Sequence, residues 1–230
     1  MADTGRNVTV GGMIGTGFDL LQRQAAWFGA LALVSLALRL LQLFERTAVI
    51  GGSIGSGLLS IVVAVASFIA SLLITREIMA REGLMAAGTP LRIGTYIGVT
   101  IVVSLAIGLG FLLLVVPGFL ILLRWFLAPY FVLARGTGFK QSLAASSDAT
   151  KAHRGTIFGF FVVLGVAYFV IFGGVAVATG GFQAFTDPSA GFPIVVLVVQ
   201  AALSAVVGAQ MLGIFATLAD RANVYGDVFG

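Results

Sequence analysis

Runs of eighteen or more apolar residues recur along this chain, and no other feature limits its fold so severely. Ile93 to Val116 contains no charged residue, and Thr156 to Thr179 contains none either. About 20 such residues in a helix match the roughly 30 Å hydrocarbon core of a bilayer. The chain as a whole is 59% hydrophobic and 10% charged. A soluble domain carries about a quarter charged residues, so there is too little polar surface here to clothe a globule in water. The runs therefore predict transmembrane helices.

Six such helices are expected, over about Ala25–Phe44, Leu58–Thr75, Ile93–Val116, Phe119–Ala134, Thr156–Thr179 and Ile194–Ala219. The chain then divides into an N-terminal amphipathic segment (1–24), a transmembrane domain (25–219) and a tail (220–230). Within residues 8–24, Val10, Met13, Ile14, Phe18 and Leu21 recur at roughly helical spacing, which predicts a short helix lying in the membrane interface. GGSIGSG (51–57) and Pro117-Gly118 read as turns. The segment 135–155 is the longest polar stretch, and 76–92 is polar with alternating charge. The predicted fold is an all-α, polytopic six-helix bundle with short interfacial amphipathic helices.

Loop charge sets the orientation. The N-terminal segment, 76–92, 135–155 and the tail together hold ten Lys and Arg, whereas the opposite loops hold only Arg46. Both termini are thus expected on the cytoplasmic side. The N-terminus does not read as a secretory signal, because it opens with Asp3 and has no small-residue cleavage site. No lipidation signal is apparent either: there is no Cys, and Ala rather than Gly follows Met1. The absence of cysteine also excludes disulfides, thiolate metal sites and cysteine nucleophiles. A net charge of +4 fits loops facing anionic lipid better than a nucleic-acid site.

Charges inside the apolar runs are the candidates for function. Arg124 lies seven residues past Pro117, about 10 Å below the outer end of its helix at 1.5 Å per residue. It is expected to snorkel outward, with a ligand or ion site as the sharper alternative. Pro129 should free the carbonyl of Trp125 and bend the same helix. Arg39 points the other way along an outgoing helix, and it is expected to curl outward or to bond Gln42, Glu45 or Asp187 across the outer rim, with an anion site as the sharper alternative. Gln200 and Gln210 fall on broadly one side of the last helix. There they suit helix–helix hydrogen bonding, or else the lining of a polar cavity. Small residues four apart, among them Gly94/Gly98, Gly155/Gly159 and Ser204/Gly208, favour close helix approach. Lys140, Lys151 and Arg154 form a basic segment suited to lipid headgroups. One histidine, His153, and no intramembrane carboxylate pair leave no catalytic, metal or cofactor constellation in view.

From Leu112 to Gly155 the chain also carries an ordered set of residues: Pro117-Gly118, Leu120, Arg124, Pro129, Gly138, Ser142-Leu143, Ser146 and Arg154-Gly155. This pattern resembles the YciC-type bacterial inner-membrane proteins, and the membrane domain attached to some glycerophosphodiester phosphodiesterases. Gly17-Phe18 and Leu20-Leu21 ahead of the first helix look similar too. The resemblance implies six helices in a bacterial inner membrane and carries no settled molecular activity. The common pattern has an acidic residue where this chain has Ala134-Arg135, so a pairing made by that acid is not implied here. Beside six spans, 230 residues leave no room for a phosphodiesterase barrel.

The expectation for function is a non-enzymatic integral membrane protein, a scaffold or accessory to envelope or lipid processes. The alternative is a transporter or channel for a small solute or lipid. Membrane lipids are the expected partners, with a second membrane protein or another copy of the chain possible and no nucleic acid.

Overall fold

A computed structural model describes residues 8–47, 53–85, 88–180 and 194–228, with 42–47, 53–60, 115 and 220–228 described by backbone alone. Among these residues the chain is helical and has no strand. In order the helices are α1 (Val10–Arg23), α2 (Ala25–Thr47), α3 (Ser53–Arg81), α4 (Ile93–Leu113), α5 (Val115–Trp125), α6 (Ala128–Arg135), α7 (Phe139–Lys151), α8 (Arg154–Ala178) and α9 (Ile194–Val228). Five stretches are long and apolar enough to cross a membrane, and a sixth is added if α1 and α2, which meet at an 88° bend, count as one span. The architecture is the predicted polytopic helical bundle.

The apolar side chains face outward to a degree that water would not support. Leu112, Phe169 and Leu113 are 81%, 78% and 76% exposed. Apolar exposure on this scale marks a membrane face, and this is an integral, multi-pass membrane protein.

Several boundaries differ from those the sequence suggested, each for a local reason. Ser53–Gly57 of the expected GGSIGSG turn is already helical, while Gly51 and Gly52 lie outside the described residues. α3 runs on through Arg81 and so absorbs the start of the polar 76–92 segment. The tail is helical as far as Val228. The reversal expected at Pro117-Gly118 falls at Leu114, the single extended residue between α4 and α5. Pro117 occupies the third position of α5, where its missing N–H would have had no intrahelical partner anyway. A methyl on Gly110 would lie 2.8 Å from Gly118 Cα, so both positions need glycine for the two helices to close up.

Pro129 does more than bend its helix. Its ring conflicts with the carbonyl four residues back and it donates no hydrogen bond. The helix therefore stops at Trp125 and restarts at Ala128, which places Pro129 at the second position of α6. α6 ends at Gly136, whose φ of 61° lies in the left-handed region and whose N–H bonds the carbonyl of Val132.

The chain forms two compact units. One comprises the described residues up to Asp19, Met79–Val162 and those from Gln210 onward. Its core is α6 with the residue before it: Leu127, Ala128, Phe131, Val132, Leu133 and Ala134 are all buried. Ala128 and Val132 pack on Val99 and Val103 of α4, and Phe131 meets Phe215 edge-on at 5.2 Å. The other unit comprises Leu20–Ile78 and Val163–Ala209. Its buried residues are mostly small or branched, including Val63, Leu72, Val196, Ala201 and Ala205, and Gly208 faces the Leu31 side chain.

Candidate functional site

The polar stretch 135–155 builds the most informative surface. It folds into α7, a 13-residue helix that starts after Gly138, whose N–H donates to Gln141 Oε1 at 3.1 Å. That bond satisfies a donor at the helix start. Ser142, Ser146 and Thr150 recur every four residues and are fully buried. This small polar stripe lets α7 press against α4, α5 and α6. Each hydroxyl has a partner: Ser142 donates to the Phe139 carbonyl at 2.8 Å, Thr150 to the Ser146 carbonyl at 3.0 Å, and Ser146 across to the Arg124 carbonyl at 2.7 Å. The last bond fills an acceptor at the end of α5, where the helix break leaves carbonyls without intrahelical donors.

With one stripe committed to packing, the opposite one is left for charge. Lys140, Asp148 and Lys151 are exposed. Lys140 and Lys151 are eleven residues apart, about three turns, so they share a stripe. Arg154, at the start of α8, is half-buried, and its Nε has no hydrogen-bond partner among the described residues. The structure thus gathers Lys140 and Lys151 on one outward face and turns part of Arg154 inward. Arg124 has an exposed side chain, and only its backbone carbonyl is tied to α7.

Two glutamines take different roles. In the second unit, Arg39 Nη1 donates to Gln200 Oε1 at 2.6 Å. Gln200 was not among the partners expected for Arg39; those, Gln42, Glu45 and Asp187, have side chains outside the described residues. In the first unit Gln210 is buried at 2% exposure and donates to the Ile14 carbonyl at 3.4 Å, while its Oε1 has no partner among the described residues. A methyl on Gly17 would land on the Gln210 amide, and one on Gly213 would sit 2.7 Å from Gly17 Cα. α1 is therefore seated against α9 through glycine. Met13 and Gly17 are buried, whereas Phe18 stays 46% exposed.

Sequence reasoning missed this seat and the Gly110–Gly118 contact, since neither pair shares a helix and four-residue spacing cannot reveal them. The pattern it did name fares unevenly. A methyl on Gly159 would lie 3.3 Å from Val10, but one on Gly94, Gly98 or Gly155 would meet nothing within 4 Å. The Ser142/Ser146/Thr150 stripe was legible as a four-residue repeat and went unused. Among the described residues no three His, Cys, Asp or Glu side chains gather as a metal site would require. Comparison of the chain with protein-family models, curated proteins and solved structures gives no match.

Proposed function

We propose that this chain is a non-enzymatic scaffold or accessory protein of a bacterial inner membrane, with both termini cytoplasmic and α7 set against anionic headgroups. The carrying observation is the division of labour on α7. Its hydroxyl stripe is consumed by packing, and its lysines are left outward. Each Lys near an anionic surface contributes about 1 kcal/mol, so two on one rigid stripe act together. The loop-charge bias and the likeness of residues 112–155 to YciC-type proteins support the same reading.

Proteoliposomes of mixed neutral and anionic lipid test it. Lys140→Gln with Lys151→Gln is expected to lower the enrichment of anionic lipid around the protein severalfold, and Arg154→Gln to add less. Unchanged enrichment in the double variant contradicts the proposal. A carrier for an anionic solute is the competing reading and would draw on Arg39. The Arg39–Gln200 bond supports a structural use of that arginine. Solute flux that Arg39→Leu abolishes would favour the carrier.

A further inference from the structure

We propose that the α4–α5 hairpin does not reach the far headgroup layer but ends within the hydrocarbon, as a wedge among the acyl chains of the leaflet next to α7. The inference uses only the membrane setting and the packing of the first unit, and it stands whether or not the α7 lysines hold lipid.

The turn itself is the first argument. From Leu105 to Leu123 no residue carries a polar side chain. Leu114, at the reversal, and its neighbours Leu113 and Val116 are all strongly exposed. A turn placed in headgroups and water would expose this apolar surface to them at a cost of about 25 cal/mol per Å². The other connections differ in sequence: Glu45, Arg46 and Thr47 close α2 and Ser53 opens α3 around one of them, and Gln183, Thr186, Asp187 and Ser189 precede α9.

Depth is the second. Ser104 and Arg124 bound the apolar tip, each ten residues from Leu114. Ten residues of helix rise about 15 Å, which is half of a hydrocarbon core about 30 Å thick. If the tip lies near the midplane, Arg124 lies at the near headgroups with its side chain exposed, and it has no need to snorkel. Trp125 then falls at the interface that tryptophan favours.

The third argument fixes that level independently. Ser146 of α7 bonds the carbonyl of Arg124, so α7 lies beside this point on α5. Lys140, Asp148 and Lys151 are exposed on α7. A helix bearing three outward charges is excluded from hydrocarbon, where each costs about 2.5–3.5 kcal/mol even on insertion scales. Water or headgroups must therefore extend to the level of Arg124.

Phe119 of α5 meets Phe158 of α8 at 5.4 Å, and Phe126 meets Phe161 at 5.2 Å. Seven residues along α5 and its C-cap are matched by three of α8, in the same chain direction. Antiparallel neighbours would reverse that order, so α5 crosses the start of α8 obliquely. A hairpin that dips and returns leaves the number of crossings even, and the loop-charge rule is obeyed as before.

The absence of cysteine allows a direct test. Leu113→Cys and Lys140→Cys, at exposed positions, are made separately and reconstituted in sealed liposomes. Each is treated with an impermeant maleimide added outside or enclosed inside, and each is also spin-labelled for oxygen and nickel-chelate collision. Lys140→Cys is expected to react from one side only. Leu113→Cys is expected to stay at the cysteine-free background from both sides, with oxygen collisions dominant. Labelling of Leu113→Cys from the side opposite Lys140→Cys would establish a full crossing and overturn the proposal, and so would labelling from the same side. Leu112→Cys provides the same reading if Leu113→Cys does not fold. Neutralising the α7 lysines changes none of these outcomes, so this result and the lipid-enrichment result fail separately.

Discussion

Gly17 and Gln210 share a space that only one of them fills with a side chain. Gly17→Ala should therefore destabilise the protein by about 1–3 kcal/mol, the usual range for an added methyl in a packed site. The obstacle is the end of a flexible amide, so Gln210→Ala in the same chain is expected to restore most of the loss. Gly213→Ala meets the backbone of Gly17 instead, and Gln210→Ala should not rescue it. Thermal unfolding of the four variants in detergent distinguishes these outcomes. Equal rescue in both backgrounds would mean that Gln210 is not what α1 packs around. Ser146→Ala removes the donor to the Arg124 carbonyl and should cost about 1 kcal/mol, the net worth of an ordinary hydrogen bond. In the second unit Arg39→Ala and Gln200→Ala should be non-additive by about 1 kcal/mol, as expected for residues in direct contact. Strict additivity would show that the bond contributes nothing.

At the scale of elements, α5 and α6 show what a single proline does. Pro129 sits where a continuous helix would need its N–H, so the segment breaks and α6 becomes a separate, largely buried piece. Pro129→Ala supplies the missing donor and is expected to let the helix run from Val115 through Arg135. That would draw the Arg124 carbonyl back into the helix and away from Ser146. The expected readout is faster proteolysis near α7, with the apolar spans still protected; unchanged cleavage would show that α6 is held by packing alone. The sequence showed that Pro129 disturbs its helix, and it placed α1 and the outlines of the long apolar helices. It misplaced the Leu114 reversal because a proline is as comfortable in a first helical turn as in a reverse turn, and only the Gly110–Gly118 contact decides between them. It read 135–155 as polar surface because its serines and threonine share composition with a loop. Their four-residue spacing, which puts them on one face, was the signal to weigh.

At the scale of the whole molecule, composition alone was decisive. With so few charges the chain has no way to present a polar surface all round, and the structure indeed exposes leucine, valine and phenylalanine along its long helices. The candidate site was less legible. Lys140 and Lys151 were visible as basic residues, but their common stripe depends on α7 being one unbroken helix. Arg154 looked equivalent to them until its half-buried position set it apart. Arg39 found Gln200, a partner 161 residues away that no local pattern indicates.

The account rests on a chain that crosses the bilayer an even number of times, with its basic segments on one face. Cleavable epitopes placed at both ends, in sealed vesicles exposed to protease, test this most directly. Both epitopes are predicted to share one fate, lost together or protected together according to vesicle orientation. Loss of one with protection of the other would contradict the account.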